Sequence, residues 1–149
     1  MRPGQVPRKS DTMDHIVYLN SAAELRQLLS GEKTMLARAS MGRKRPYGLV
    51  KEGDTLFFAN NGHRQKAKAM AEVKRALSKE MEKKLALDIR KHYDKILSPE
   101  PQGTLLNKRY VTLVELDKAR PIVPFSISEE IRGGSGEWLV LDDIDDAIR

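Results

Sequence analysis

The segment from Ser21 to Arg38 most constrains the fold, because it predicts a helix, a sharp stop and a strand in immediate succession. Ser21 and Glu24 have the spacing of a capping box, which predicts that a short helix begins at Ala22. The apolar face of this helix consists of Leu25, Leu28 and Leu29. Gly31 stands where a helix needs a left-handed residue to end, so the helix is expected to stop there.

A strand is predicted after this helix, from Lys33 to Ala39, and Lys33 and Thr34 lie at its N-terminal end. Side chains alternate between the two faces of a strand, so Lys33 and Arg38 point to opposite faces unless a bulge intervenes. Two interpretations are open at this point. The segment is either an ordinary helix-to-strand turn with two solvated cations, or part of a binding site.

The length of 149 residues predicts one domain, residues 14–149, after a flexible N-terminal lead-in from Met1 to Met13. Cysteine is absent, which excludes disulfides, thiol nucleophiles and cysteine-based zinc sites. No apolar run approaches the roughly 20 residues that span a bilayer, and the first residues lack the apolar core of a signal peptide. We therefore expect a cytoplasmic protein that does not bind a membrane.

Positive charge is concentrated in one part of the chain. The net charge is +6, and between Arg26 and Arg75 twelve Lys or Arg residues stand against four Asp or Glu residues. From Glu137 onward there are five acidic residues and one Arg. This asymmetry predicts a surface that faces a polyanion, although a solvated basic face would give the same count.

Apolar alternation and turn residues predict several short strands and one longer helix. The strands are His15–Leu19, Lys33–Ala39, Thr55–Ala59, Ala67–Leu77, Arg109–Leu116, Ala119–Pro124 and Trp138–Leu141. For the alanine-rich Ala67–Leu77 segment, a helix is the competing interpretation. The longer helix is predicted from Ser78 to about Leu97, followed by a loop from Pro99 to Asn107 and, near the end of the chain, a short helix from Asp142. The fold class is therefore α+β, a small, mostly antiparallel, closed or half-closed barrel with helices at its rim.

Three features together carry a family resemblance. They are Gly31-x-Lys33-x-x-x-x-Arg38 after a short helix, Gly53-Asp54-x-Leu56-x-Phe58 after a basic loop, and a closing strand pair with an aromatic residue near the C-terminus. In this order they resemble the signature of the ASCH domain, a branch of the PUA-like superfamily. The resemblance covers roughly Asp14 to Leu141, with the longer helix where such domains often carry an insertion.

The resemblance implies a PUA-like barrel whose cleft binds RNA or a nucleotide-like ligand. The family's lysine falls on Lys33 and its arginine on Arg38. Some members resemble amidohydrolases of acylated cytidine or ribonucleases, and often carry Glu or a hydroxyl residue three positions after the lysine. Here that position is Leu36, which can neither accept a proton nor attack a carbonyl, so the departure argues against amidohydrolase chemistry.

Residue types suited to nucleic-acid binding occur in the loop from Met41 to Gly48 and in the turn after the third strand. The candidate binding residues are Lys33, Arg38, Arg43, Lys44, Arg45, Tyr47, Asn60 and Asn61. Tyr47 or Trp138 can stack on a base, although a single Trp in a terminal strand more often packs in the core. The two asparagines can equally be simple turn formers.

Candidates for catalysis are weaker. Lys33, Thr34 and Glu72 can meet only if adjacent strands bring them together, with Lys33 acting as a deprotonated base. His15, His63 and His92 are far apart and lack ligand spacing, so we expect surface or partly packed histidines and no metal site. The segment Gly133 to Gly136 lacks the lysine of a phosphate loop and is interpreted as a hinge. No cofactor is expected.

Three hypotheses for function follow. The first is binding of RNA or a modified nucleotide in an electropositive cleft of the barrel. The second is a small hydrolase of the same fold that acts on a modified nucleoside or on RNA. The third is a protein-interaction module that uses the longer helix and the acidic tail to contact a protein partner. The sequence predicts no oligomeric state.

Overall fold

The computed structural model describes residues 12–60, 65–128, 131 and 138–148 of the chain. Several predicted features lie outside these residues. They are most of the N-terminal lead-in, the turn residues Asn61 and Gly62, His63, and the glycine-rich segment from Gly133 to Gly136.

The first half of the chain is built around four strands and one helix. Strand β1 spans Asp14–Leu19, helix α1 Ala22–Ser30, β2 Met35–Ser40, β3 Thr55–Asn60 and β4 Lys66–Glu80. The second half adds helix α2 at Lys83–His92, a 3-10 turn at Tyr93–Lys95, strand β5 at Ile96–Leu97 and helix α3 at Gln102–Leu106. Strands β6 at Tyr110–Leu116, β7 at Arg120–Ser126 and β8 at Trp138–Leu141 follow, and the 3-10 turn Ile144–Ala147 comes last.

Helix α1 begins and ends as its residues predict. The Glu24 amide donates to Ser21 Oγ at 3.3 Å, and the Asn20 amide donates to Glu24 Oε1 at 2.6 Å, which completes the capping box. Gly31 has φ of 84°, a left-handed conformation that glycine adopts without steric strain. Its amide donates a hydrogen bond to the Leu28 carbonyl. Lys33 precedes strand β2 instead of opening it.

Within the described residues, eight strands form one mixed sheet in the order β5-β2-β6-β4-β3-β1-β8, with β7 paired to β4. Most neighbouring pairs are antiparallel, and the β1–β3 and β2–β5 pairs are parallel. The path is open from β5 to β8, so the barrel, which the sequence predicts as closed or half-closed, is not confirmed. Four strands separate β2 from β8 in this order, yet Arg38 of β2 lies against Trp138 of β8. The sheet therefore coils until these two distant strands face each other.

Strand β4 confirms that the alanine-rich segment is extended. Ala67, Ala69, Ala71 and Val73 are all buried, which is the period-two pattern of a strand with one face in the core. Its first half pairs with β3 and its second half with β6, with a register irregularity between Val73 and Arg75. One long strand thus connects the two halves of the sheet.

The prediction that Ser78 caps the longer helix is wrong. Ser78 lies inside β4, opposite Thr112, and the two hydroxyl oxygens are 3.1 Å apart. Strand β6 pairs with β4 as far as Glu80, and this pairing keeps Ser78 extended despite its capping propensity. Helix α2 begins only at Lys83.

The predicted C-terminal end of this helix and the loop that follows also differ from the structure. The helix ends at His92 instead of near Leu97, because Ile96 and Leu97 pair in parallel with Met35 and Leu36. The segment predicted as a loop from Pro99 contains the short helix α3. In both places the chain follows tertiary contacts that local periodicity does not show.

The main core lies between the coiled sheet and α1. Fully buried members include Val17, Leu36, Leu56, Phe58 and Val114. A second cluster centres on Ile16 and Tyr18, and a third packs α2 against the sheet through Leu85 and Ile89. In the part of the chain that is described, no helix is both long and apolar enough to cross a membrane.

Candidate nucleic-acid interface

A cavity of about 530 Å³ opens where β2 and β8 face each other. Its walls come from the end of β2, the loop after it, the segment after β5, and the start of β6. The cationic lining residues are Arg38, Lys44, Arg45 and Lys108. Among the described lining residues Glu100 is the acidic one, and Tyr110 and Trp138 supply aromatic surface. This volume falls within the range of about 300–1,000 Å³ that is typical of small-molecule sites.

Arg38 is held in the cavity by an aromatic ring. Its guanidinium carbon lies 5.4 Å from the centre of the Trp138 ring, which is cation–π distance. The Nη1 group also donates to the Ala37 carbonyl at 3.1 Å. Trp138 itself is only 3% exposed, so its indole supports the guanidinium and is not a free stacking surface.

Behind Trp138, a buried series of side-chain hydrogen bonds extends away from the cavity. The Trp138 Nε1 group donates to His15 Nδ1 at 3.0 Å, and His15 Nε2 lies 2.8 Å from Asp54 Oδ2. Because an indole N–H can only donate, Nδ1 must accept, and the imidazole is therefore neutral with its proton on Nε2. Burial lowers the pKa of His15 below its ordinary value, and the hydrogen bond to Asp54 only partly opposes that shift.

Asp54 is the last residue in this series of hydrogen bonds. Its carboxylate accepts from the amides of Met13 and Lys51, at 2.9 and 3.0 Å, in addition to His15. The preceding Gly53 has φ of 91°, which allows the tight turn that delivers Asp54 to the interior. Gly53 and Asp54 therefore have a structural role. Asp54 orients His15, and His15 in turn orients Trp138.

The expectation of a surface or partly packed histidine is wrong for His15, which is completely buried. Local sequence patterns do not show which strands pair, so this contact could not be predicted from them. Strand β8 lies antiparallel to β1, with Val17 opposite Trp138, and this register brings the indole to His15. By contrast, His92 is exposed, and its Nδ1 lies 3.0 Å from the Asp88 carbonyl of its own helix.

The basic loop divides into two parts. Lys44 and Arg45 line the cavity, whereas the Arg43 guanidinium lies 5.2 Å from the ring centre of Tyr110 and 5.9 Å from that of Tyr47. Tyr47 and Tyr110 also meet edge to face, with ring centres 5.4 Å apart. Arg43 and Tyr47 thus form a small stack that fixes the loop beside the cavity. Whether Tyr47 also stacks on a base stays a prediction.

Lys33 is not brought together with Arg38. Its ammonium donates to the Asp94 carbonyl at 2.9 Å, and its side chain borders a separate concavity beside Gly31 and Ala119. Glu72 lies on β4 opposite Thr55, and its carboxylate is 4.0 Å from Arg120. None of the described contacts joins Lys33, Thr34 and Glu72 through their side chains.

Asn60 lies away from the basic cavity. Its side-chain oxygen accepts from the Lys66 amide at 2.8 Å, which is the contact of a turn former, and it borders a smaller cavity of about 240 Å³ near α1. Asn61 lies outside the described residues. Among the residues that are described, no three His, Asp or Glu side chains cluster as ligands for a metal ion.

Among the charged residues that line the cavity, Glu100 and Lys108 were not predicted from the sequence. Glu100 lies in the segment predicted as a loop, and Lys108 directly follows that segment. The two residues flank helix α3 and reach the cavity because the adjoining β5 and β6 both pair with β2. No local motif marks either residue. The pairing of β2 with strands more than fifty residues later in the chain is what places them beside Arg38.

Comparison with known proteins supports the fold. No protein-family model matches the sequence, and no curated protein matches it either. The structure is similar to the crystal structure of ASCH from Zymomonas mobilis, with 16% identity, 89% of this chain and 90% of that chain covered, and a TM-score of 0.61. Crystal structures of two mutants of that protein give TM-scores of 0.63 and 0.60 at 15% and 16% identity, covering 89% and 86% of this chain and 91% and 89% of theirs. The chain therefore has an ASCH-like fold.

Proposed function

We propose that the protein binds RNA or a modified nucleotide in the cavity between β2 and β8. The observation that carries this proposal is the convergence of Arg38, Lys44, Arg45 and Lys108 on one concave surface of about 530 Å³. Arg38, Lys44 and Arg45 come from β2 and the loop directly after it, and Lys108 comes from a part of the chain more than sixty residues later. Like charges that converge on one concave surface repel one another unless they share an anion, so the arrangement favours a phosphate-bearing ligand.

The ring behind Arg38 supports binding of a nucleotide over binding of a bare anion. A guanidinium plane can stack on a base as well as contact phosphate. Arg38 is oriented by the Trp138 ring, and Trp138 is oriented by His15 and Asp54. Such pre-orientation lowers the entropy that binding must remove from a long side chain.

The proposal is tested by measuring single-stranded RNA binding on filters at several salt concentrations. The test variant carries Lys44→Ala and Arg45→Ala together. If both cations contact phosphates, the slope of log affinity against log salt should become shallower by about 1.4, because each contact to a single strand contributes about 0.7. Affinity at low salt should fall as well.

The matched control carries Lys83→Ala and Lys84→Ala, which removes the same charge from the exposed first turn of α2, outside the cavity lining. This control should keep most of the wild-type slope and affinity. Equal losses in the two double variants would show that binding follows net charge and not the cavity. Absence of RNA binding by the wild type at low salt would refute the proposed function.

A further inference from the structure

Glu100 places one acidic group in this otherwise cationic cavity. Its side chain lines the cavity wall, and its carboxylate Oε2 is buried without a hydrogen-bond partner among the described residues. The main chain around it is fixed, because the Glu100 amide donates to Ser98 Oγ at 3.2 Å and its carbonyl accepts from the Tyr93 hydroxyl at 3.1 Å. The backbone of Glu100 is thus held in place, whereas Oε2 of its side chain has no hydrogen-bond partner among the described residues.

A buried carboxylate oxygen without a partner is costly, and such groups are rare in folded proteins. The cost is avoidable here, since four cations line the same cavity, yet no described ion pair includes Glu100. The terminal torsion of a glutamate is broad, so rotation of the carboxylate about its last bond costs little. A ligand with N–H donors would satisfy the buried oxygen.

We propose that Glu100 reads the base of the bound nucleotide and selects guanine. This inference rests on the proposed function, in which the cations of the cavity hold the phosphate. An ionised carboxylate only accepts hydrogen bonds, and its two oxygens accept best from two parallel N–H groups. Unpaired bases in RNA are commonly recognised through their Watson–Crick edges.

Guanine is the standard base whose Watson–Crick edge offers two adjacent donors, N1–H and the 2-amino group. Adenine and cytosine each place a ring-nitrogen acceptor beside the amino group, and that lone pair repels a carboxylate. Uracil offers one N–H between two carbonyl oxygens, which repel it as well. The acceptor-only chemistry of Glu100 therefore separates guanine from the other three bases.

The test compares nine-nucleotide RNAs that differ in their central residue only. The parent is a uridine tract, and the centre is replaced by guanine, adenine, cytosine or inosine. The wild type should bind the guanine RNA about tenfold more tightly than the uridine parent, as expected for a bidentate contact. Inosine, which lacks the 2-amino group, should bind with intermediate affinity.

Glu100→Gln should remove the preference for guanine, so that the ratio of the affinities for the guanine RNA and the uridine parent falls from about ten to about one. Glu32→Gln is the control, because Glu32 is exposed and lies outside the cavity lining. Its preference should match that of the wild type.

Should the wild type bind the parent RNA but show equal affinity for all five centres, the guanine inference is wrong and the proposed function stands. Should it bind none of the RNAs, both are wrong. The comparison of wild-type affinities needs no variant, so it holds even if Glu100→Gln fails to fold.

Discussion

The indole Nε1 of Trp138 donates a hydrogen bond to Nδ1 of His15 at 3.0 Å, joining β8 to β1 in the interior. Both residues are buried, and the bond fixes the tautomer of the imidazole and the orientation of the indole beneath Arg38. Folding and the candidate site therefore depend on the same contact.

Replacing Trp138 with Phe should lower the free energy of unfolding by about 1–3 kcal/mol, because it leaves a buried imidazole nitrogen without its donor. Urea unfolding of the wild type and the variant measures the difference. His92→Gln is the control, since His92 is exposed and should change stability by less than about 0.5 kcal/mol. Equal stability of Trp138→Phe and wild type would show that the His15 contact contributes nothing.

Stability should fall as pH falls below 6.5, the ordinary pKa of histidine, because the pKa of His15 is lowered in the folded protein. Between the lowered and the ordinary value the unfolded chain binds more protons, so acid favours unfolding. The free energy of unfolding should decrease by up to about 1.4 kcal/mol per pH unit in this window. Titratable groups near His15 are Asp14 and Asp54.

The contribution of His15 is isolated by subtracting the pH profile of His15→Gln, which lacks the titrating ring but offers a donor and an acceptor. The difference between the two profiles should have its slope below pH 6.5 and be flat above it. A difference that is flat from pH 5 to pH 8 would contradict a lowered pKa.

Arg38→Ala should weaken RNA binding much more than Lys33→Ala, although each removes one positive charge from the same segment. Arg38 lines the cavity, whereas Lys33 borders a separate concavity and bonds the Asp94 carbonyl. Loss of charged hydrogen bonds to phosphate should cost about 2 kcal/mol for Arg38. The cost for Lys33 should stay within about 0.5 kcal/mol, the contribution of a distant screened charge. Filter binding at one salt concentration measures both, and equal losses would place the ligand elsewhere.

Hydrolysis of acylated cytidine should not exceed background. The residue three positions after Lys33 is Leu36, whose side chain is fully buried in the core beside Leu28 and Val114. A buried alkyl group cannot attack a carbonyl or move a proton. Release of the free nucleoside, followed by chromatography, measures the activity. Turnover that disappears in Lys33→Ala would contradict this expectation and favour the hydrolase hypothesis.

Local signals in the sequence predicted the elements that local chemistry decides. The capping box at Ser21, the left-handed Gly31 and the alternation through Ala67 to Val73 all predicted the structure that is found. Ser78 and Leu97 were misassigned because strands far away in sequence hold them extended, and pairing of this kind leaves no local trace.

The candidate site was predictable in part, because local sequence signals show some of its residues but not the strand pairing that brings in the others. Arg38, Lys44 and Arg45 lie on the strand and loop that the sequence singled out, and they meet in one cavity. Lys108 and Glu100 enter it only through the pairing of β2 with β5 and β6, and His15 acts only through its contact with Trp138. Lys33 was grouped with Arg38 by a sequence motif, but the chain places the two side chains at different concavities.

The central claim is that RNA binds at the cavity that Trp138 lines, and the fluorescence of Trp138 tests it most directly. The protein contains one Trp, and that residue lines the cavity, so its emission responds to changes there. Titration with single-stranded RNA should change the emission to saturation, with a midpoint equal to the Kd from filter binding. The Lys44→Ala, Arg45→Ala variant should shift both values by the same factor. RNA retained on filters with no change in Trp138 emission would contradict the account, because the ligand would then bind away from the cavity.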